Sequence, residues 1–289
     1  MTFASTLATP AAGRSRDHIV DVLIAERAPT LSRSWAWPFL RPALYAILSY
    51  GKARRMADRI APLPGGQALD VVSDLLSLKV GAAGLEHLPG QGRVVIIANH
   101  PTGIADGIAL YDAVKPLRPD ICFYANSDAH RVAARFDEVL IPVEWVEAKR
   151  TRERTRLTLQ LTREAMEAER ALAIFPAGRL ARMRDGVLRD PEWMASAVSI
   201  ARKYEAPVLP VHLSGPRSTL FHLFDKVSGE LRDITLFHEL LNKRGRRFAL
   251  QAGPLIPPEA LAGDAGEVSE RIKAYIEDVL PSFPDRPFA

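Results

Sequence analysis

From about residue 79 onward, short apolar runs alternate with longer segments of helical periodicity, and no other feature narrows the fold as far. Val94 to Ala98, Ile121 to Ala125, Val139 to Val143, Ala171 to Phe175 and Pro207 to Leu213 have strand length and are apolar on successive residues, the pattern of strands covered on both faces. Ile104 to Val114, Arg152 to Ala168, Pro191 to Tyr204 and Val268 to Leu280 instead space their apolar residues as helices do. Strands separated by helices join as parallel neighbours, so the expected fold class is α/β, a largely parallel central sheet covered by helices. Before residue 79 the pattern is helical over Asp17 to Arg27, Ala43 to Ile60 and Ala68 to Leu78, with Pro64-Gly65-Gly66 as a breaker. The expected organisation is an N-terminal helical region over 1–78 and an α/β domain over 79–289.

At 289 residues and 47% hydrophobic content the chain can bury one sizeable core. A net charge of +4 suits an anionic membrane surface or an acidic substrate and is too small to argue for nucleic acid. Cys122 is the single cysteine, which excludes an intrachain disulfide and a thiolate metal cluster. It sits in an apolar run where a free thiol behaves as a small hydrophobe. Met1 to Arg14 has no continuous apolar stretch followed by a cleavage site, so secretion is not expected.

Trp35 to Tyr50 is the most apolar stretch, yet Pro38, Arg41 and Pro42 interrupt it and it falls short of the roughly 20 residues that a spanning helix needs. Its aromatic residues, followed by Lys52, Arg54, Arg55 and Arg59, fit two descriptions: a helix lying among lipid head groups, or an ordinary helix packed on its own domain.

In a parallel sheet the loops beyond the carboxyl ends of the strands form the ligand crevice. The loop after Val94 to Ala98 reads Asn99-His100-Pro101-Thr102-Gly103-Ile104-Ala105-Asp106-Gly107. A crevice histidine, with an unperturbed pKa of about 6.5, can take a proton from a hydroxyl near neutral pH. Asp106, at the start of the next helix, is spaced to hold Nδ1 and leave Nε2 to the substrate. Gly103 and Gly107 permit the tight turn this requires. Taken alone, the pair would equally describe a strand-end imidazole and a first-turn helix charge.

The Asn99-His100 pair followed by Asp106 resembles the signature of the phospholipid and glycerol acyltransferase family, which includes the lysophosphatidic acid acyltransferases. The similarity runs from residue 79 to about 213. It implies that His100 is the general base on an acceptor hydroxyl, that Asp106 orients it, and that Asn99, Thr102 and Gly103 contribute to substrate binding. Pro101 to Ala105 separates the two catalytic residues by one more position than usual, which resembles a divergent branch with hemolysin-like and lyso-ornithine-lipid acyltransferases. A second loop, Phe175-Pro176-Ala177-Gly178-Arg179-Leu180-Ala181-Arg182, is similar to the family's Phe-Pro-Glu-Gly acceptor motif with Ala177 in place of the glutamate. Phe175, Pro176, Gly178, Arg179 and Arg182 are its expected substrate-binding residues, the two arginines being suited to an anionic head group. Ile141-Pro142-Val143 and Val208-Leu209-Pro210-Val211 match further family motifs by position.

The resemblance implies an acyl thioester donor, either acyl-CoA or acyl carrier protein, and a lysolipid acceptor. No cofactor and no metal is expected, since the seven histidines form no His-Glu-x-x-His pair. The expected location is cytoplasmic and peripheral to the membrane. Backbone amides around Gly103 or Gly178 are candidate oxyanion donors. Two basic runs, Lys149 to Arg156 and Lys243 to Arg247, read either as solvated faces or as contacts to phosphate or lipid head groups. Among rival classes, a serine hydrolase lacks its Gly-x-Ser-x-Gly elbow. A catalytically silent lipid-binding protein of the same fold stays open.

Overall fold

The computed structural model describes residues 17–144, 151–184 and 187–289. Lys149 and Arg150 of the first basic run, and the segment Met1 to Arg14, lie outside the described residues. In chain order the strands are β1 (Lys79–Ala83), β2 (Val94–Ala98), β3 (Cys122–Asn126), β4 (Leu140–Val143), β5 (Ala171–Ile174), β6 (Arg182–Arg184), β7 (Val187–Arg189), β8 (Val208–Ser214) and β9 (Arg247–Ala252). Seven of them form one sheet in the order β1-β9-β8-β2-β5-β3-β4. Its pairs are parallel except β8 with β9, so β1 and β9 run against the other five. The strands β6 and β7 make a separate antiparallel hairpin.

The central strand β2 explains the continuous apolar runs. It is buried at every residue, with β8 on one side and β5 on the other. Because side chains alternate across a sheet, Val94, Ile96 and Ala98 enter the core on one face while Val95 and Ile97 enter the core on the other. Helices cover both faces. α6 (Ile104–Val114) and the N-terminal helices α1 (Ile19–Arg27), α4 (Tyr50–Ile60) and α5 (Gly65–Leu76) pack on the first face through residues such as Val20, Met56, Leu76 and Leu110. α8 (Arg152–Glu167), α9 (Ser196–Lys203) and α13 (Ala265–Ala274) pack on the second through Met166, Val198 and Ile272. Cys122 belongs to the second core, where burial pushes its thiol up to about 11.

Several elements differ from expectation for local reasons. The single helix expected over Ala43 to Ile60 is two: α3 (Trp37–Ile47) and α4, separated by Ser49 in the left-handed region at φ 56°. Pro64-Gly65-Gly66 stands between α4 and α5 as expected, with Pro64 at the N-cap position and the two glycines already inside α5. A Cβ at Gly65 would sit 2.5 Å from the Arg135 carbonyl, so only glycine allows that approach. Residues 191–195 do not join α9, because Trp193 and Met194 donate their amides to Glu270 and to the Pro176 carbonyl instead of continuing a helical ladder. The short strands β1 and β9 were not expected, and neither were α10 (Thr219–Asp225), α11 (Gly229–Asp233) and α12 (Leu236–Leu241). α2 (Pro29–Ser32) and α7 (Asp128–Val132) are single short turns.

Candidate active site

Beyond Ala98 the chain leaves β2, and Asn99 continues the ladder with its side chain. Its Nδ2 donates to the Leu213 carbonyl at 2.9 Å while its Oδ1 accepts the Leu213 amide at 2.6 Å. The carboxamide thus mimics a peptide group and ties β2 to the end of β8. His100 follows at the carboxyl end of the sheet.

Asp106 is the third residue of α6 and is fully buried. Its Oδ2 accepts the amides of Thr102 at 2.8 Å and Gly103 at 3.0 Å, and its Oδ1 accepts the Thr102 hydroxyl at 2.5 Å. The carboxylate therefore caps the helix backward onto Gly103, whose φ of 94° favours glycine; Gly103 has no side chain to return the bond. Gly107, expected in the turn, lies within α6.

The Nδ1 of His100 lies 3.0 Å from Asp106 Oδ2. That oxygen lies off the line of an Nδ1–H, its lone pairs being directed at the two amides, so the contact is short and electrostatic rather than a straight hydrogen bond. A histidine–carboxylate contact of this kind can straighten around a bound ligand. Nδ1 itself is buried, so the 16% of the side chain that stays exposed is elsewhere on the ring.

The second loop folds over the first. The Phe175 ring stacks on the imidazole with centroids 4.5 Å apart. The Ala181 amide donates to the His100 carbonyl at 3.0 Å, and a Cβ on Gly103 would sit 3.1 Å from the Leu180 side chain. Gly178, at φ 59°, closes a turn by donating to the Phe175 carbonyl at 3.0 Å. Pro176 is buried, while Arg179 and Arg182 are exposed beside the histidine loop with no carboxylate partner among the described residues. Of the amides around Gly103 and Gly178 expected as oxyanion donors, those of the two glycines are themselves committed, to Asp106 and to the Phe175 carbonyl.

Sequence reasoning missed Asp190. This carboxylate, 1% exposed, accepts the His100 amide at 3.0 and 3.2 Å and the Trp193 indole at 3.0 Å. Burial pushes its pKa up to about 7, against the pull of the nearby imidazole. Its own amide donates to Glu277, a carboxylate that burial also pushes up. No local pattern marks Asp190, which meets His100 only because β5, the hairpin and β2 converge. Lys243 also departs from expectation. Rather than facing lipid or solvent it is 1% exposed, and its Nζ reaches Glu239 and Ser218 at 3.1 Å each, with Ser218 bonded in turn to the Thr102 carbonyl at 3.4 Å.

The acyltransferase family model matches residues 79–214. The chain is 25% identical over 226 residues to a lyso-glycine lipid O-acyltransferase from Phocaeicola vulgatus, covering 75% of this chain and 77% of that protein. It is 25% identical over 230 residues to a protein of the same description from Bacteroides thetaiotaomicron, covering 75% and 79%. Among solved structures it is similar to the 1-acyl-sn-glycerophosphate acyltransferase PlsC from Thermotoga maritima, with a TM-score of 0.45, 16% identity and coverage of 91% and 96%.

Proposed function

The chain belongs to the acyltransferase family through residues 79–214 and is an O-acyltransferase, and on that premise we propose a specific reaction: transfer of a fatty acyl group from an acyl thioester to the hydroxyl of a lysolipid, with His100 as general base. The observation that carries this reading is the buried Asp106 carboxylate 3.0 Å from His100 Nδ1, on a ring that keeps an exposed edge at the carboxyl end of β2.

Nε2 of His100 takes the proton of the acceptor hydroxyl as its oxygen attacks the thioester carbonyl. The new C–O bond forms, the C–S bond breaks, and the imidazolium gives its proton to the leaving thiolate. Asp106 keeps the proton of the neutral ring on Nδ1 and stabilises the imidazolium, as a triad aspartate does. Asn99, Thr102 and Gly103 hold the loop that presents the ring, and Phe175, Pro176 and Gly178 shape the wall over it. Arg179 and Arg182 meet the head group of the acceptor. With Ala177 where the family motif has glutamate, and with relatives named for a lyso-glycine lipid, the acceptor we favour carries a carboxylate head group, which a guanidinium grips in bidentate fashion.

We place the enzyme on the membrane surface, reached through α3. None of its residues is buried; Phe39 is 78% exposed, and Trp35, just before the helix, is 85% exposed. No helix among the described residues is long and apolar enough to cross a membrane.

The test is transfer of labelled acyl groups from acyl-CoA and acyl carrier protein to lyso-glycine lipid, lyso-ornithine lipid and lysophosphatidate. His100→Ala should lower the rate by roughly 10²- to 10⁴-fold while keeping the far-UV spectrum and melting temperature of the parent. Folded parent protein that acylates none of these acceptors would point to a silent lipid-binding protein instead.

A further inference from the structure

The reversal of strand direction at β9 brings the amino ends of β1 and β9 to the same edge of the sheet as the carboxyl ends of β2 and β8. A cavity of about 970 Å³ opens there. Lys79, Arg246 and Arg247 line it together with Gly81, Phe248 and Ala249, and no carboxylate does. Its rim, Ser214 to Pro216, is the end of β8. Gly215 fits tightly between Phe248 and Thr102, since a Cβ there would lie 2.6 Å from the one and 2.9 Å from the other. The cavity thus borders the residue whose amide and hydroxyl hold Asp106.

The groove gathers like charges, all three of them exposed. Lys79 and Arg247 are register partners on adjacent strands, where like charges repel. None of the three cations has a carboxylate partner among the described residues, whereas Arg27, Arg118, Arg131 and Arg232 each do. The exposed face of β1 and β9 offers the small residues Gly81 and Ala249 as a floor, so the site is a shallow groove open to solvent with room for the phosphates of a ligand. It lies two to three strands from β2 and about three residues beyond the level of His100, roughly 14–18 Å from it. The arginines of the second loop follow β5, which pairs with β2 on the side away from β8.

We propose that this cavity binds the phosphate groups of a nucleotide-bearing acyl thioester, acyl-CoA, whose thiol arm then reaches across β8 to His100. This rests on the acyltransferase reading and names the donor of that same site. The separation fits a donor whose phosphates stand well away from its reacting carbonyl, and it leaves Arg179 and Arg182 to the acceptor.

Steady-state kinetics of the full chain with acyl-CoA, together with calorimetric binding of free coenzyme A, tests the proposal. Arg246→Ala combined with Arg247→Ala should raise the KM for acyl-CoA and the Kd for coenzyme A by about tenfold or more. The effect should fall away when the donor is S-acyl N-acetylcysteamine, which carries no phosphate. Ala249→Phe, which fills the cavity without touching charge, should raise the same KM. Unchanged values in both variants overturn the proposal while leaving His100-dependent transfer intact. So does a rise in KM confined to acyl carrier protein, or a loss of binding to anionic vesicles with the acyl-CoA kinetics unaltered. Absence of transfer would sink the acyltransferase reading alone, because coenzyme A binding is measured without turnover and its loss in the variants would still support the cavity.

Discussion

His100 is held from three directions: at Nδ1 by Asp106, on its face by Phe175, and at its backbone by Asp190 and Ala181. The first two contacts come from residues that the sequence motifs single out, because a strand-end histidine and a first-turn aspartate are close in the chain. Asp190 was not legible, being ninety positions away and flanked by nothing that marks a site. Its titration gives a test. In the folded protein its pKa stands near 7, above the ordinary value of 3.8, so the folded state holds this proton more tightly than the unfolded chain. The stability it contributes is complete in acid and is lost as pH rises from about 4 to about 7. The His100 ring, the Trp193 indole and Glu277 act on it and shift the midpoint without reversing the sign. Wild type should therefore lose melting temperature between pH 5 and pH 8 relative to Asp190→Asn, in which the group cannot ionise. Parallel melting curves across that range would mean that Asp190 does not titrate there.

Among the elements, the buried strands were legible because both of their faces are covered, which makes their residues uniformly apolar. The strands β1 and β9 escaped notice for the opposite reason. Lys79-Val80-Gly81-Ala82-Ala83 is an edge strand, mostly exposed, and in β9 only Phe248, Leu250 and Ala252 turn inward. The N-terminal segment resolves into two elements with different surroundings. α4 buries Ala53, Met56, Ala57 and Ile60 and exposes Lys52, Arg54, Arg55 and Arg59, as an amphipathic helix on its own domain does. α3 is fastened mainly through Tyr45, whose hydroxyl and that of Tyr50 both donate to Asp21, with the two rings stacked at 4.1 Å. That clasp fixes α3 with Phe39, Leu40 and Ile47 exposed. Transfer of two aromatic side chains into an interface contributes about 1.5–3 kcal/mol each. Trp35→Ser with Phe39→Ser should then weaken sedimentation with anionic vesicles by roughly a hundredfold while leaving acyl transfer to a water-soluble acceptor unaltered. Equal vesicle binding by parent and variant would assign α3 to some other contact.

At the scale of the whole molecule, the position of β2 in the strand order decides how two substrates reach one histidine. With β8 and β9 on one side and β5 on the other, the loops flanking His100 come from sheet halves that share little besides the central strand. Each half carries cations with no carboxylate partner among the described residues, Arg179 and Arg182 in the loop after β5 and the cavity residues beyond β8. Groups separated by more than about 7–10 Å with no common partner act independently. If the acceptor and the donor enter from opposite sides, Arg179→Ala with Arg182→Ala should raise the KM for the lysolipid by about tenfold and leave that for acyl-CoA within twofold. Arg246→Ala with Arg247→Ala should do the reverse. Combining the pairs should multiply the losses in kcat/KM to within about twofold, since neither pair touches the other's ligand. A shared anion site would behave differently: either pair alone would raise both constants, and the combined variant would lose much less than the product. That outcome would place both substrates on one side of the imidazole and make the order of their binding, rather than the division of the sheet, the source of selectivity.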